Sequence, residues 1–213
     1  MSDLSVDYAG VRLANPVLLA SGTCNYGQEL LPLVDLSRLG GLVSKTITPL
    51  PRAGNPPPRV VETPAGMLNS IGLQNPGLED FARKKWPFLA SIGTRVVVNI
   101  AGDSPEEFAA MAVRLEELEG IAALEINISC PNLKQGGMLF GCQPTAAAEV
   151  IGAVRKVTHR PVIAKLTPNV TDVAEIARAV EGAGADGISL INTLVGMAID
   201  VDRRRPGLGN ITG

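Results

Sequence analysis

Leu124-Glu125-Ile126-Asn127-Ile128-Ser129-Cys130-Pro131-Asn132 is the stretch from which the fold of this chain can be read. Apolar Leu124, Ile126 and Ile128 alternate with polar Glu125, Asn127 and Ser129. A period of two marks a β-strand whose two faces meet different surroundings. The strand gives way to Cys130, held between Ser129 and Pro131. Proline donates no ladder hydrogen bond and keeps the residue before it extended. A thiol is therefore expected on a stiff exit loop, beside the carboxamides of Asn127 and Asn132. Taken alone it could equally be a buried, inert cysteine. The rest of the chain decides against that.

Working outward, the same kind of strand recurs. Val17–Ala20, Leu42–Ile47, Arg95–Ile100, Pro161–Leu166 and Gly187–Ile191 are short apolar runs rich in β-branched residues. Helical patterns lie between them. A weak one starts at Glu29, and another spans Leu78–Leu89 with Pro87 expected to end it early. Ser104 followed by Pro105, Glu106 and Glu107 has the chemistry of a helix start. Thr145 to about Val157 and Thr171-Asp172 through Glu181 complete the set. Short strands alternating with helices imply βαβ units and a parallel sheet, an α/β fold. Leu4–Tyr8 and Val11–Leu13 form a small hairpin ahead of it. The segment from Pro49 to Pro76 breaks the pattern, with short extended pieces at Val60–Thr63 and Met67–Asn69. Its apolar Met67, Leu68, Ile71 and Leu73 suggest a long loop that packs.

Five of these strands finish in a long polar side chain: Lys45-Thr46, Asn99, Asn127, Lys165 and Asn192-Thr193. In a closed parallel barrel the carboxyl ends of the strands lie together on the face that carries active sites. Lys45 shares parity with Val43, Asn99 with Val97, Lys165 with Ile163 and Asn192 with Leu190, so all are expected to face inward. Lysines with carboxamides suit an anionic, amide-rich molecule or a planar cofactor. Glu125 belongs to the same group but sits one alternation earlier, hence deeper. No cluster of Asp, Glu and His lies at these ends, which disfavours a metal. No GxGxxG follows the first strand, which disfavours a Rossmann dinucleotide site.

The totals set the class. The chain has 213 residues, 46% hydrophobic and 19% charged, enough for one sizeable core and a single domain over 1–213. A net charge of -2 and 3% aromatic residues supply no case for nucleic acid or an anionic membrane. Cys24, Cys130 and Cys142 are odd in number and form no CxxC pair, as expected of a reducing cytoplasm. No signal peptide or membrane-spanning run is recognisable. His159, the one histidine, precedes a strand and reads as a surface residue.

Four segments carry a family resemblance: Asn127 to Asn132, Gly54-Asn55-Pro56-Pro57-Pro58-Arg59, Met67 to Gly77, and Lys165-Leu166-Thr167-Pro168-Asn169-Val170-Thr171. Together they resemble the class 1 dihydroorotate dehydrogenases along the whole chain. Ile191-Asn192-Thr193-Leu194 with Gly72 to Gly77 looks more like the NAD-linked class 1B catalytic subunit than the fumarate-linked class 1A enzyme. Dihydropyrimidine dehydrogenase is a further relative, in which histidine usually follows the Cys-Pro where this chain has Asn132. The resemblance implies a (β/α)8 TIM barrel that uses FMN to oxidise (S)-dihydroorotate to orotate in pyrimidine (UMP) biosynthesis.

By the same resemblance, Cys130 would be the catalytic base. Ser21, Lys45, Thr46, Asn99, Asn127, Lys165 and Ile191 would contact FMN. Lys45, Asn69, Ser70, Ile71, Gly72, Leu73, Asn127, Asn132, Asn192 and Thr193 would hold the substrate. The implied partner is an iron–sulfur flavoprotein carrying FAD and a [2Fe-2S] cluster, in a heterotetramer of two catalytic and two electron-transfer subunits. This chain has neither a four-cysteine cluster set nor a dinucleotide fingerprint for that role. The family pattern runs on through a glycine-rich segment and two further βα units. The expectation is thus the amino-terminal portion of a barrel, truncated after about six strands, with the segments that hold the flavin phosphate missing. An inactive binding remnant is the non-enzymatic alternative, and a barrel using Cys130 as a covalent nucleophile is another.

Overall fold

The computed structural model describes residues 2–129, 131–132 and 138–213. In chain order, β1 (Val6–Tyr8) and β2 (Val11–Leu13) form an antiparallel hairpin turned at Ala9-Gly10, both at positive φ. Strands β3 (Leu18–Leu19) and β4 (Gly41–Val43) follow, then a second hairpin of β5 (Val60–Thr63) and β6 (Gly66–Asn69). Helical segments α1 (Leu78–Asp80) and α2 (Trp86–Ser91) lead to β7 (Arg95–Ile100), and α3 (Pro105–Glu116) leads to β8 (Ile121–Asn127). After the short pair β9 (Pro131–Asn132) and β10 (Met138–Leu139) come α4 (Pro144–Arg155), β11 (Val162–Lys165), α5 (Val173–Gly182) and β12 (Gly187–Ser189). The hairpin β13 (Ile199–Asp200) and β14 (Arg205–Pro206) lies beyond.

Six strands make one parallel sheet in the order β12-β11-β8-β7-β4-β3. Chain order and spatial order agree throughout. Right-handed crossovers running always in one direction put every helix on the same face, which is how a βα barrel curls instead of forming a doubly wound sheet. The side chains divide accordingly. Leu42, Val96, Val98, Leu124, Ile126, Val162 and Ala164 pack outward with Phe108, Met111, Leu115, Val150, Val154 and Val180. The alternate residues Val43, Val97, Ala123 and Ile163 form a separate inner cluster with Val11 and Leu13, against Val6, Tyr8 and Ala9. The hairpin thus plugs the amino-terminal end of the interior, and Tyr8 donates its hydroxyl to the Ile188 carbonyl at 3.1 Å. With that end filled by apolar packing, only the carboxyl ends remain for chemistry.

The helix signals act as their chemistry requires. Ser104 Oγ accepts from the Glu107 amide at 3.3 Å, with Pro105 at the first helical position. Asp172 accepts from the Ala174 amide at 2.8 Å and opens α5. Arg160 ties the end of α3 to β8 by donating to the carbonyls of Leu118 at 2.8 Å and Ile121 at 2.6 Å.

Some expectations shift. The helix expected from Glu29 is only a 3-10 turn, Gln28–Leu30, in which Leu30 packs against the core while Leu33 lies 78% exposed. Pro87 does not end its helix. The preceding turn widens to π geometry over Phe81–Lys85, and Pro87 falls in the first turn of a fresh α segment, where its missing N–H matters little. The last strand stops at Ser189, short of the expected Ile191, and Leu190 is 63% exposed. Its inward parity therefore does not hold, although Val43, Val97 and Ile163 do face inward. In the loop from Pro49 to Pro76, Met67 is 63% exposed, whereas Leu68, Ile71 and Leu73 are half-buried.

Candidate active site

The polar strand ends meet at the carboxyl face. Asn99 and Glu125 are register partners across β7 and β8, and Lys165 pairs in register with Asn127. Asn99 is 1% exposed, and its Nδ2 donates to Glu125 Oε1 at 2.5 Å. Asn127 is buried, and its Oδ1 accepts from the Ser129 amide at 3.2 Å and from Asn192 Nδ2 at 3.3 Å. With its carbonyl engaged twice, Asn127 keeps its N–H donors for a ligand. Asn192 Oδ1 in turn accepts from the Thr193 amide at 2.9 Å. Ser21 and Thr46 place their hydroxyls 3.5 Å apart at the ends of β3 and β4. Lys165 is half-buried, and its ammonium makes no ion pair among the described residues.

The interior also carries one electrostatic signature. The Tyr8 phenol, below this group in the hairpin, is pushed up to about 12 by burial and by the negative charge of Glu125. Cys24 is buried against β4 and its thiol is raised by desolvation, the mark of a structural cysteine. Among the described residues no group of three or more His, Cys, Asp and Glu could hold a metal, and no helix is long and apolar enough to cross a membrane.

Residues Asn69–Leu73 are held by a separate network. The Ser70 amide donates to Arg59 O at 2.8 Å, and Asn55 grips the loop through Ser70 O at 3.0 Å and Ile71 O at 3.1 Å. Gly72 takes φ 74°, and a Cβ there would lie 2.7 Å from the Asn55 nitrogen, so this turn requires glycine. Arg59 donates to Asn55 O and to Gln74 Oε1. The anchor is buried Asn75. Its Oδ1 accepts from the Thr48 and Gly77 amides at 3.2 and 2.8 Å, and its Nδ2 donates to Thr48 Oγ1 and Leu73 O at 2.8 and 2.7 Å. Asn75→Ala leaves several of these buried groups unpaired, and each such loss costs about 1–3 kcal/mol. A stability loss of about 2–3 kcal/mol is expected in urea unfolding. An unchanged midpoint would show that this network does not hold the loop.

The structure thus brings Asn99, Asn127, Lys165 and Asn192 together, with Ser21, Lys45 and Thr46 at neighbouring strand ends. Ile191 is 46% exposed rather than core, and Thr193 is exposed. Cys130 falls outside the described residues, as does the side chain of Asn132. Sequence reasoning overlooked two supports. Asn75 entered only within the Gly72 to Gly77 segment that carries the family resemblance. Asn169 donates to Thr193 O at 3.0 Å and accepts from the Val195 amide at 3.1 Å, so it fixes the segment after β12. Its signal was the Thr167-Pro168-Asn169 turn, since Thr167 Oγ1 accepts from its amide at 3.2 Å.

Comparison with known proteins accords with this geometry. A family profile described as dihydroorotate dehydrogenase matches residues 3–213. A protein of Geotalea daltonii named "Dihydroorotate dehydrogenase B (NAD(+)), catalytic subunit" is 55% identical over 211 residues, covering 99% of this chain and 69% of that protein. A protein of the same name from Desulforamulus reducens is 58% identical over 211 residues, again covering 99% and 69%. In fold, the chain matches a crystal structure of DHODH from Eimeria tenella in complex with ferulenol. The TM-score is 0.70 at 24% identity, covering 90% of this chain and 60% of that one. With a parallel βα sheet whose polar residues converge at its carboxyl ends, and with relatives this similar along its length, the chain belongs to the dihydroorotate dehydrogenase family.

Proposed function

We propose that this chain is catalytic-subunit sequence of an NAD-linked dihydroorotate dehydrogenase, oxidising (S)-dihydroorotate to orotate with FMN in pyrimidine biosynthesis. The observation that carries the reading is the inward group Asn99, Asn127 and Lys165 above a plugged barrel interior. These residues suit a flavin. Among the described residues Asn99 Oδ1 is buried without a partner, Asn127 keeps N–H donors, and Lys165 brings a positive charge. A flavin's pyrimidine edge offers both N–H and carbonyl groups, so it can satisfy all three. When bound, FMN supplies the acceptor for the substrate's C6 hydride.

The chain's own residues do the rest. Lys165 would bring its positive charge to the flavin side of the site. Ser21, Lys45, Thr46, Asn99, Asn127 and Ile191 complete the flavin side of the site. Lys45, Asn127, Asn132, Asn192 and Thr193, with Asn69, Ser70, Ile71, Gly72 and Leu73, bind the carboxylate and ring amides of the substrate. Ser70 supports this assignment, because its buried Oγ lacks a partner among the described residues. Cys130 takes the C5 proton as general base. The relatives' name "catalytic subunit" points to a second subunit. We assign it as an iron–sulfur flavoprotein with FAD and a [2Fe-2S] cluster, in a two-plus-two heterotetramer in the cytoplasm.

The test uses full-length protein reconstituted with FMN under anaerobic conditions. Dihydroorotate is expected to bleach the visible flavin band, with NAD reduced rapidly only after the partner subunit is added. Flavin that stays oxidised refutes the activity. Full-speed NAD reduction without the partner refutes the assembly.

A further inference from the structure

Glu125 is the only charged residue buried among the described residues, at 3% exposure. It lies in the middle of the sheet, on the inner face with Ala123 and Asn127. The carboxyl oxygen that faces Asn99 accepts from it, with Asn99 Nδ2 turned toward Glu125 Oε1 at 2.5 Å. Asn99 Oδ1 is then turned away, and it is buried with no hydrogen-bond partner among the described residues. Such an acceptor is costly until a donor reaches it. The backbone leaves little slack, because the Asn99 amide donates to Ser44 Oγ at 3.2 Å and the two residues are locked in register.

We propose that Glu125 is a positioning residue that sets the polarity of Asn99, so that Asn99 meets the bound cofactor as an acceptor and selects an N–H or O–H donor on it. The inference rests on the flavin reading above. A flavin offers such donors at N3 and on its ribityl chain, and an Asn99 turned the other way would set donor against donor. Glutamine at position 125 offers both an acceptor and a donor, so it no longer dictates which way Asn99 lies.

The test is FMN titration of full-length apoprotein, read by quenching of flavin fluorescence, for wild type, E125Q, N99A and N99A/E125Q. Losing one well-placed hydrogen bond to the cofactor is expected to weaken binding about tenfold in E125Q. If Glu125 acts through Asn99, the E125Q change has almost no further effect once Asn99 is alanine, about twofold or less. Wild-type affinity in E125Q overturns the proposal, as does a tenfold loss that persists in the N99A background. Should E125Q fail to fold, the exchange N99D/E125Q keeps one donor–acceptor bond and a free acceptor, whereas N99D alone opposes two carboxylates. The exchange is then expected to bind FMN more tightly than N99D, and equal affinity overturns the proposal. Wild-type protein that binds no FMN sinks the flavin reading and this inference with it, whereas the comparisons among variants bear on Glu125 alone.

Discussion

Replacing Cys130 by serine in the full-length protein is expected to leave FMN bound and to slow its reduction by dihydroorotate about 10²–10⁴-fold, the usual contribution of a positioned general base. A thiol ordinarily ionises near pH 8.5, within reach of a tuned site, whereas a serine hydroxyl is a far poorer base near neutrality. No flavin contact is assigned to Cys130, so binding and turnover should separate. Stopped-flow flavin reduction at saturating dihydroorotate checks the expectation. A rate equal to wild type removes Cys130 from the chemistry. A stable substrate adduct in mass spectrometry would instead assign it a nucleophile's role.

Phe108→Ala is expected to lower stability by about 3–5 kcal/mol, as for truncation of a fully buried aromatic. Phe108 is 0% exposed on α3, with its ring edge-on to Phe140, centroids 6.2 Å apart. It packs in the outer cluster with Met111, Leu115, Leu124 and Ile126, so its loss opens a cavity between helix and sheet. Interiors this dense relax little around a void. Urea unfolding followed by circular dichroism measures the loss. A change below about 1 kcal/mol would mean that α3 collapses onto the sheet and fills the gap.

Asn99, Asn127, Lys165 and the rest of the strand-end group were legible because a parallel βα repeat imposes two simple rules. Alternation assigns each strand residue to a face, and crossovers of one hand bring the carboxyl ends together. Those rules suffice to place Val43, Val97 and Ile163 inside and to line up the polar ends above them. They fail where the chain leaves the repeat. At Leu190 the strand has already ended, so parity no longer assigns a face. At Pro87 a widened turn absorbs a residue that local propensity reads as a stop, because burial of Phe81, Trp86 and Leu89 outweighs it. At Glu29 only Leu30 of the apolar run packs against the core, while Leu31, Leu33 and Val34 stay exposed.

The sequence by itself therefore determined the α/β class with a parallel sheet, the capping of α3 and α5, and the identity of the polar residues at the sheet's carboxyl face. Each of these follows from periodicity or from chemistry between residues near in sequence. Only the tertiary structure decided how those polar groups are oriented. Asn75 spans Thr48 to Gly77, Asn169 holds Thr193, and Glu125 faces Asn99 across two strands. A carboxamide can point either way, and which way it points depends on a partner brought near by folding, often many residues distant. No local pattern records that partner.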